Sequence, residues 1–268
     1  MALSALLLAS TLMSSPLPVT AVAGSSSALA GVVENGQSKR VEISYEGRAI
    51  GLKIGEMSMT ADIGPRGYTA KGSLQTAGVA RWFSKYNIST SSTGRVENSA
   101  LQSVRYDSRN RDGKKNRQVR LDWTPQDVSV FADPWFGNYD WNPNQQQRLS
   151  GIDPVSALLN LSLGRGVTPE RPCGSPISVF DGKQRYDLRL TYIGKTQVRE
   201  KGYRGPAAKC QVSFIPIAGF QPKEKDEKSD LEGAYFYLTD FATVGFTAPV
   251  VIEVNTGSVG KVRLVAQT

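Results

Sequence analysis

The chain has 268 residues, of which 40% are hydrophobic and 21% are charged, with a net charge of +8 and no histidine. This length supports one sizeable hydrophobic core or two small ones. The lack of histidine excludes Ser-His-Asp and Cys-His catalysis and His-ligated zinc, and two cysteines are too few for a thiolate metal centre. We therefore expect a non-enzymatic protein without cofactor or metal. A hydrolase is the minor alternative, because no activated nucleophile is visible.

The N-terminal residues are typical of an export signal. Residues 1–23 carry no charge, and their apolar run over residues 2–13 is shorter than the roughly 20 residues that cross a bilayer. The small-residue pattern Ala-Val-Ala at 21–23 is a cleavage site, and a second pattern at 28–30 gives an alternative cut after residue 30. An ordinary buried helix is the other interpretation. Because no cysteine follows either site, we predict a cleaved signal and export to the periplasm without a lipid anchor.

Beyond the signal, residues 24–38 are small and polar, which indicates a flexible linker. From residue 39 onward, short segments alternate between apolar and polar residues and are separated by Gly, Asn, Asp or Pro, the pattern of antiparallel sheet. We count about ten to eleven strands. The alternation changes phase at Gly55, which predicts a bulge or bend in one long strand. The sequence thus predicts a mainly β, single antiparallel barrel or spiral over residues 39–268, because a curled sheet removes exposed strand edges.

Two short helices are predicted between the strands. In residues 77–86, Val79, Trp82, Phe83 and Tyr86 fall at i, i+3, i+4 and i+7 and share one apolar face. Such a helix lies across the barrel mouth, either as a plug of the core or as the cover of a cavity.

The second predicted helix spans residues 152–163. Asp153 suits the N-cap position and Pro154 the first helical position. Leu158 and Leu159 belong to its apolar side, so they are also candidate contacts for an internal ligand.

Residues 132–148 form an aromatic segment that contains Trp135, Phe136, Tyr139 and Trp141 among Pro, Gly, Asn and Gln. That composition predicts neither regular helix nor strand. Aromatic rings beside amides stack on sugars or hold acyl chains. The favoured alternative is a loop that packs its own rings and closes one end of the barrel.

Residues 105–123 read as a basic hairpin with Asp112-Gly113 as its turn. Anionic lipid headgroups, peptidoglycan or a partner protein would suit this charge, whereas the favoured alternative is a solvated arm whose charge prevents edge pairing. Nucleic acid is not expected, because no stacking aromatic lies near the tip. The candidate docking residues are Arg109, Arg111, Lys114, Lys115 and Arg117.

In an oxidising compartment, Cys173 and Cys210 are expected to form a disulfide, with two free buried thiols as the alternative. The loop-entropy model gives such a bridge about 4 kcal/mol of stabilisation.

Several stretches resemble one bacterial exported family, named "domain of unknown function 3108". They are residues 45–107, GIDPVSALLNL (151–161), PISVFDGKQRYDLRLTYIG (176–194) and YRGPAAKCQVSFIPIAGF (203–220). The most specific parts are the helix start IDPVSALL, the stretch VFDGKQRYDL, and the paired Cys173 and Cys210. The resemblance implies an envelope protein of β-barrel or β-spiral architecture, broadly similar to the lipoprotein carriers LolA and LolB. It implies no catalytic residue.

Two functions follow as hypotheses. The first is a periplasmic protein that binds a lipid, an acyl chain or a lipidated partner in an apolar concavity. The second is an envelope-integrity scaffold with a filled core, which acts through surface contacts with proteins or peptidoglycan. A large internal cavity favours the first. Its candidate ligand contacts are Trp82, Phe83, Trp135, Phe136, Tyr139, Trp141, Leu158 and Leu159.

Overall fold

The computed structural model describes nine parts of the chain. They are residues 38–78, 80, 86–98, 100–111, 116–164, 166–221, 233–241, 246–256 and 260–267. The predicted signal, most of the first predicted helix and the tip of the basic hairpin lie outside these ranges.

The described residues form one antiparallel sheet in which neighbours in sequence are neighbours in space. Its order is β7-β6-β5-β4-β3-β2-β1-β13-β12-β11-β10-β9-β8, so the first and last strands, β1 and β13, pair at its centre. The bounds are β1 Lys39–Ala49, β2 Leu52–Ile63, β3 Gly67–Thr76, β4 Asn87–Glu97, β5 Ala100–Asn110, β6 Gln118–Trp123, β7 Val128–Asp133, β8 Ile177–Phe180, β9 Arg185–Arg199, β10 Arg204–Ala218, β11 Tyr235–Phe241, β12 Phe246–Thr256 and β13 Gly260–Gln267.

The predicted mainly β fold, a curled antiparallel meander, is confirmed, but the strand count was too low. Thirteen strands are present in the described residues. The two edge strands, β7 and β8, are only six and four residues long. Segments this short carry too little alternation to stand out in a sequence.

The β1–β2 connection corrects a second prediction. The strand predicted through Gly55 begins only at Leu52, because Ile50 and Gly51 have φ of 50° and 76° and form a two-residue hairpin turn. The predicted bulge exists close to where the phase change placed it. The β1–β2 register shifts between Gly47 and Arg48, which leaves Ile54 as the extra residue next to Gly55.

The sheet is curled without closing into a hydrogen-bonded barrel, since no pairing joins β7 to β8 among the described residues. A Cβ on Gly182, in the β8–β9 turn, would lie 2.7 Å from a side-chain carbon of Val119, so this turn packs against the inner face of β6. The segment before the second helix spans the gap. The Trp123 indole N–H donates to the Gly151 carbonyl at 3.0 Å, and Ile152 forms a parallel bridge to Val179 of β8.

Two helices lie between β7 and β8: α1, Gln145–Leu149, and α2, Pro154–Ser162. α1 corrects the expectation that residues 132–148 lack regular structure. Asn144 and Gln147 form a capping box that fixes its start despite the polar composition. α2 is confirmed, with Asp153 as its N-cap.

α2 lies inside the curled sheet, in contact with strands β3, β4, β5, β8 and β12. Seven of its nine residues are buried, and the other two, Pro154 and Leu158, are partly exposed. The main core cluster surrounds it with inward side chains such as Val41, Ile63, Leu101 and Leu121. Protein therefore fills most of the interior around this helix.

The predicted disulfide between Cys173 and Cys210 is confirmed, with a Cα–Cα distance of 5.9 Å. Both cysteines are buried in a second core cluster. The bridge ties the chain between α2 and β8 to the middle of β10.

Candidate functional site

An apolar cavity of about 240 Å³ lies between the inner side of β2–β5 and the first turns of α2. Most of its wall is hydrocarbon or thioether, which suits an aliphatic ligand. The lining residues are Met57, Ser58, Met59, Gly72, Ser73, Leu74, Ile88, Thr90, Tyr106, Pro154, Val155 and Leu158.

The cavity lies against the one side of α2 that the protein leaves partly uncovered. Pro154 and Leu158 are the two residues of the helix that are not buried, and both line the cavity. They are four residues apart and therefore share a face. An otherwise enclosed helix thus presents its free apolar face to this space.

A buried polar cluster holds the helix start in place. One carboxylate oxygen of Asp153 accepts the backbone N–H groups of Val155 and Ser156 at 2.9 Å. The other accepts hydroxyl hydrogen bonds from Ser92 at 2.8 Å and from Ser103 and Ser156 at 2.5 Å. Five hydrogen bonds to one carboxylate satisfy a group that the protein buries completely.

Tyr68 extends this cluster towards β3. Its hydroxyl is hydrogen-bonded to Ser156, and it lies 3.3 Å from the hydroxyl oxygen of Ser92. Burial raises the pKa of Tyr68 to about 12, and the Asp153 carboxylate adds to the rise. The phenol therefore stays protonated and donates a hydrogen bond at physiological pH. The cluster links α2 to β3, β4 and β5, the strands that form the cavity wall.

The aromatic loop lies beside the free edge of β7, away from this cavity. Phe136 packs against the main core, while Trp135 and Tyr139 are about half exposed. Tyr139 and Trp141 stack with ring centroids 4.7 Å apart, and the Trp141 carbonyl accepts the Gly219 N–H at 2.5 Å. The loop is thus held by the stacking of its own rings, by the packing of Phe136 on the core and by a hydrogen bond to the end of β10.

A second cleft of about 380 Å³ separates this loop from β7 and the β8–β9 turn. Trp135, Phe136, Asn138 and Asn142 line one side of it, and Lys183 lines another. Two of these polar groups are already engaged within the loop. The Trp135 indole N–H donates to the side-chain oxygen of Asn138, and the Asn142 amide donates to the carbonyl of Gly137.

The basic hairpin is confirmed by the antiparallel pairing of β5 with β6. Arg109 and Arg111 are exposed, and the Arg109 guanidinium donates to the neutral amide oxygen of Gln118 at 2.8 Å. Arg117 instead donates to the carbonyl of Pro134 and lies 4.5 Å from the centre of the Phe136 ring. Lys114 and Lys115 lie outside the described residues. The structure thus places two of the predicted docking residues in solvent and ties a third to the aromatic loop.

The predicted ligand contacts are distributed over three places. Leu158 lines the apolar cavity, and Trp135 and Phe136 line the second cleft. Leu159 is fully buried in the main core and is not among the residues that line this cavity. Trp82 and Phe83 lie outside the described residues. The remaining predicted contacts, Tyr139 and Trp141, stack on each other in the aromatic loop.

Sequence reasoning missed the strand residues of the cavity wall, notably Met57, Met59, Leu74 and Ile88. The sequence shows Met57 and Met59 alternating with polar residues, as the inward side chains of a strand do. What it did not show is that the space between these side chains and α2 is left unfilled. Within the described residues, no cluster of acidic or cysteine side chains is suited to a metal, and no helix is long and apolar enough to cross a membrane.

Comparison with known proteins gives one family and one solved structure. The family described as "Protein of unknown function (DUF3108)" matches residues 40–266. The structure is the crystal structure of a β-barrel-like protein of domain of unknown function DUF1849 from Brucella abortus. It is 11% identical and covers 84% of this chain and 94% of that chain, with a TM-score of 0.47. Curated proteins give no match. Because the family match extends over most of the sequence, the chain belongs to the DUF3108 family.

Proposed function

We propose that the protein is a non-enzymatic binding protein of the cell envelope that holds an acyl chain in the cavity between β2–β5 and α2. The observation that carries this proposal is the free face of an otherwise buried helix, Pro154 and Leu158, directed into an apolar space of about 240 Å³. Burial of each methylene of the ligand contributes about 0.8 kcal/mol. The cavity therefore supplies a driving force without any specific polar contact.

The chemistry of the wall favours an unbranched aliphatic chain over a planar aromatic ligand. Two methionines on β2, Met57 and Met59, supply flexible side chains that adapt to a chain of variable shape. Leu74, Ile88 and Leu158 complete an aliphatic surface. The only hydroxyl groups in the lining belong to Ser58, Ser73, Thr90 and Tyr106. The ligand class we propose is a fatty acyl chain, free or carried by a lipid or lipidated protein.

Two features support an exported location, which is part of the proposal. The Cys173–Cys210 disulfide is of the kind that persists in oxidising compartments. The apolar N-terminal run followed by small residues has the form of a cleaved signal. Fractionation of bacteria that express the full chain, with mass spectrometry of the N-terminus, tests this point. A cytoplasmic, uncleaved product would contradict it.

Ligand uptake is tested with fatty acids of increasing length and a fluorescent fatty acid as the competed probe. We expect affinity to rise about fourfold for each added methylene until the cavity is full, which is the conversion of 0.8 kcal/mol. Leu158→Trp places an indole ring in the path of the ligand and should abolish uptake, whereas Leu158→Met conserves volume and should preserve it. Native mass spectrometry after mild purification should show a bound lipid in the wild type. A consistently empty protein that takes up no fatty acid would overturn the proposal.

The scaffold alternative is favoured by a different observation, the packing of the interior around α2. Val155, Leu159 and Leu163 of the helix segment lie in the same core cluster as strands from both halves of the sheet. A protein that acts only through its surface needs a packed core of this kind and does not need an internal cavity. Its test is reversal of the exposed charges at Arg109 and Arg111, which should abolish co-purification of envelope partners while leaving lipid uptake unchanged.

A further inference from the structure

The chain connections divide between two ends of the curled sheet, and among strands β1–β6 three of them lie at one end. In an antiparallel meander, alternate connections fall on the same side. The β1–β2, β3–β4 and β5–β6 connections therefore share an end with the last residues of β3 and the first of β4. Leu74 and Ile88 of the cavity wall belong to those residues and pair with each other. We call this side of the molecule the cavity end.

The most exposed large apolar side chain in the described part of the protein lies at the cavity end. Ile50 forms the tip of the β1–β2 turn and is 82% exposed, and Leu52 beside it is 54% exposed. Ile50 also has a φ of 50°, a left-handed conformation that β-branched residues strongly disfavour. The sequence Asn-Gly is preferred for a turn of this geometry, yet the chain has Ile-Gly.

This residue costs conformational energy and gains no packing in return. A Cβ on the neighbouring Gly51 would meet nothing within 4 Å, so the tip projects into open space. Strain of this kind persists where it serves a function. Exposed Ile and Leu side chains on a projecting turn are suited to burial in an apolar environment outside the protein.

The charge at the cavity end is complementary to an anionic surface. The acids next to the tip are already paired, because Lys53 contacts Glu46 and Glu56, and Arg48 contacts Glu46. By contrast, Arg109 and Arg111 on the arm of the basic hairpin form no ion pair within the described residues. In the described residues, this end therefore combines two apolar side chains with two arginines that form no ion pair with an acidic side chain.

We propose that the cavity end docks on an anionic phospholipid bilayer. Ile50 and Leu52 enter the boundary between headgroups and acyl chains, and Arg109 and Arg111 lie on the headgroups. The passage of an acyl chain between bilayer and cavity at this end rests on the proposed function, whereas docking itself does not depend on it.

Vesicle flotation of the full mature chain tests the proposal, with phosphatidylglycerol–phosphatidylcholine vesicles and with phosphatidylcholine vesicles alone. We expect the wild type to float with the anionic vesicles and to be released by salt. Ile50→Asn should weaken this partitioning about tenfold, since a large aliphatic side chain no longer inserts. Arg111→Gln should weaken it about fivefold on anionic vesicles and leave the neutral vesicles unaffected. Leu52→Asn should also weaken binding to the anionic vesicles, and it tests the same surface independently if another variant misfolds.

Stability separates docking from a structural role of Ile50. Because Asn tolerates a positive φ, Ile50→Asn should raise the thermal unfolding midpoint by about 2–4 °C while it weakens binding. The matched control is Ile193→Asn in β9, where the replaced side chain is 52% exposed on the wall of the sheet, and binding there should stay at the wild-type level.

Each remaining outcome would overturn the proposal. These are a wild type that does not float, an Ile50→Asn variant that binds as well as the wild type, and an Ile193→Asn variant that loses as much. The proposal would also be overturned if the chain did not bind vesicles and instead bound a protein partner at the cavity end. Leu158→Trp distinguishes the two proposals, because it should lose fatty-acid uptake and still float.

Discussion

Replacement of Asp153 by Ala removes the acceptor on which the buried polar cluster depends. The N-cap contribution is about 1 kcal/mol. The hydroxyls of Ser92, Ser103 and Ser156 also lose a charged acceptor, and each such bond contributes about 1.5–3 kcal/mol. Much of this loss is recovered, because Ala also removes the cost of burying a carboxylate, which is several kcal/mol, and because the Ser92 and Ser156 hydroxyl oxygens already lie 3.0 Å apart and can pair with each other. We therefore expect Asp153→Ala to lower the free energy of unfolding by about 3–4 kcal/mol.

The matched control is Asn144→Ala at the exposed N-cap of α1, which should cost about 1 kcal/mol or less. Asp153→Asn keeps the shape and one capping oxygen but removes the charge, so we expect an intermediate loss of about 1–2 kcal/mol. Urea unfolding followed by tryptophan fluorescence, with the disulfide intact, measures all three. Equal losses for Asp153→Ala and Asn144→Ala would show that the buried hydroxyls contribute nothing, and would refute this account of the cluster.

Three further predictions concern the disulfide, an ion pair and the β8–β9 turn. Cys173→Ala/Cys210→Ala should lower the free energy of unfolding by about 4 kcal/mol in urea titrations, and an unchanged midpoint would contradict the loop-entropy estimate. Hydrogen bonds from Arg148 lower the pKa of the Asp127 carboxyl, so this pair stabilises the protein above the unfolded-state pKa of about 4 and loses its effect as the pH falls through the lower folded-state value. Arg148→Gln should therefore cost about 0.5–1 kcal/mol at pH 7 and nothing at the acid end, and an equal cost at both pH values would exclude an electrostatic origin. Gly182→Ala should cost about 1–3 kcal/mol, because the new Cβ would lie 2.7 Å from a β6 side chain at a φ of 98°, and a neutral substitution would show that the turn yields freely.

Local signals in the sequence were sufficient for several elements. Asp153 followed by Pro154 predicted the start of α2, because N-cap and first-turn preferences depend on a few adjacent residues. The phase change at Gly55 predicted a β-bulge to within one residue. The pairing of Cys173 with Cys210 was expected because the chain is predicted to be exported, and the structure contains this disulfide. Each of these signals depends on a few adjacent residues or on the number of cysteines in the chain.

Other features depended on tertiary context. Ser92 and Ser103 occupy inward positions of β4 and β5, where a polar residue interrupts the apolar pattern of the sequence. Their role becomes clear only in the folded chain, where both hydroxyls donate to the Asp153 carboxylate. The Ile50–Gly51 turn was hidden because an apolar residue at a turn tip imitates the alternation of a strand. The cavity was hidden for a similar reason, since inward alternation specifies which side chains face each other and leaves open whether they touch.

The position of α2 connects the two hypotheses that the sequence left open. A helix buried on every side would fill the sheet and favour a scaffold, and a helix outside it would leave the interior as a large pocket. α2 does neither, because the polar cluster around Asp153 fixes its start while Pro154 and Leu158 stay partly exposed beside the cavity. Since Asp153 bonds to both strands that carry its serine partners, the depth of the helix in the sheet is set by hydrogen bonds, which are specific in length, rather than by apolar contact alone. The volume left beside Leu158 is therefore a fixed property of the fold, as a binding cavity for an aliphatic chain requires.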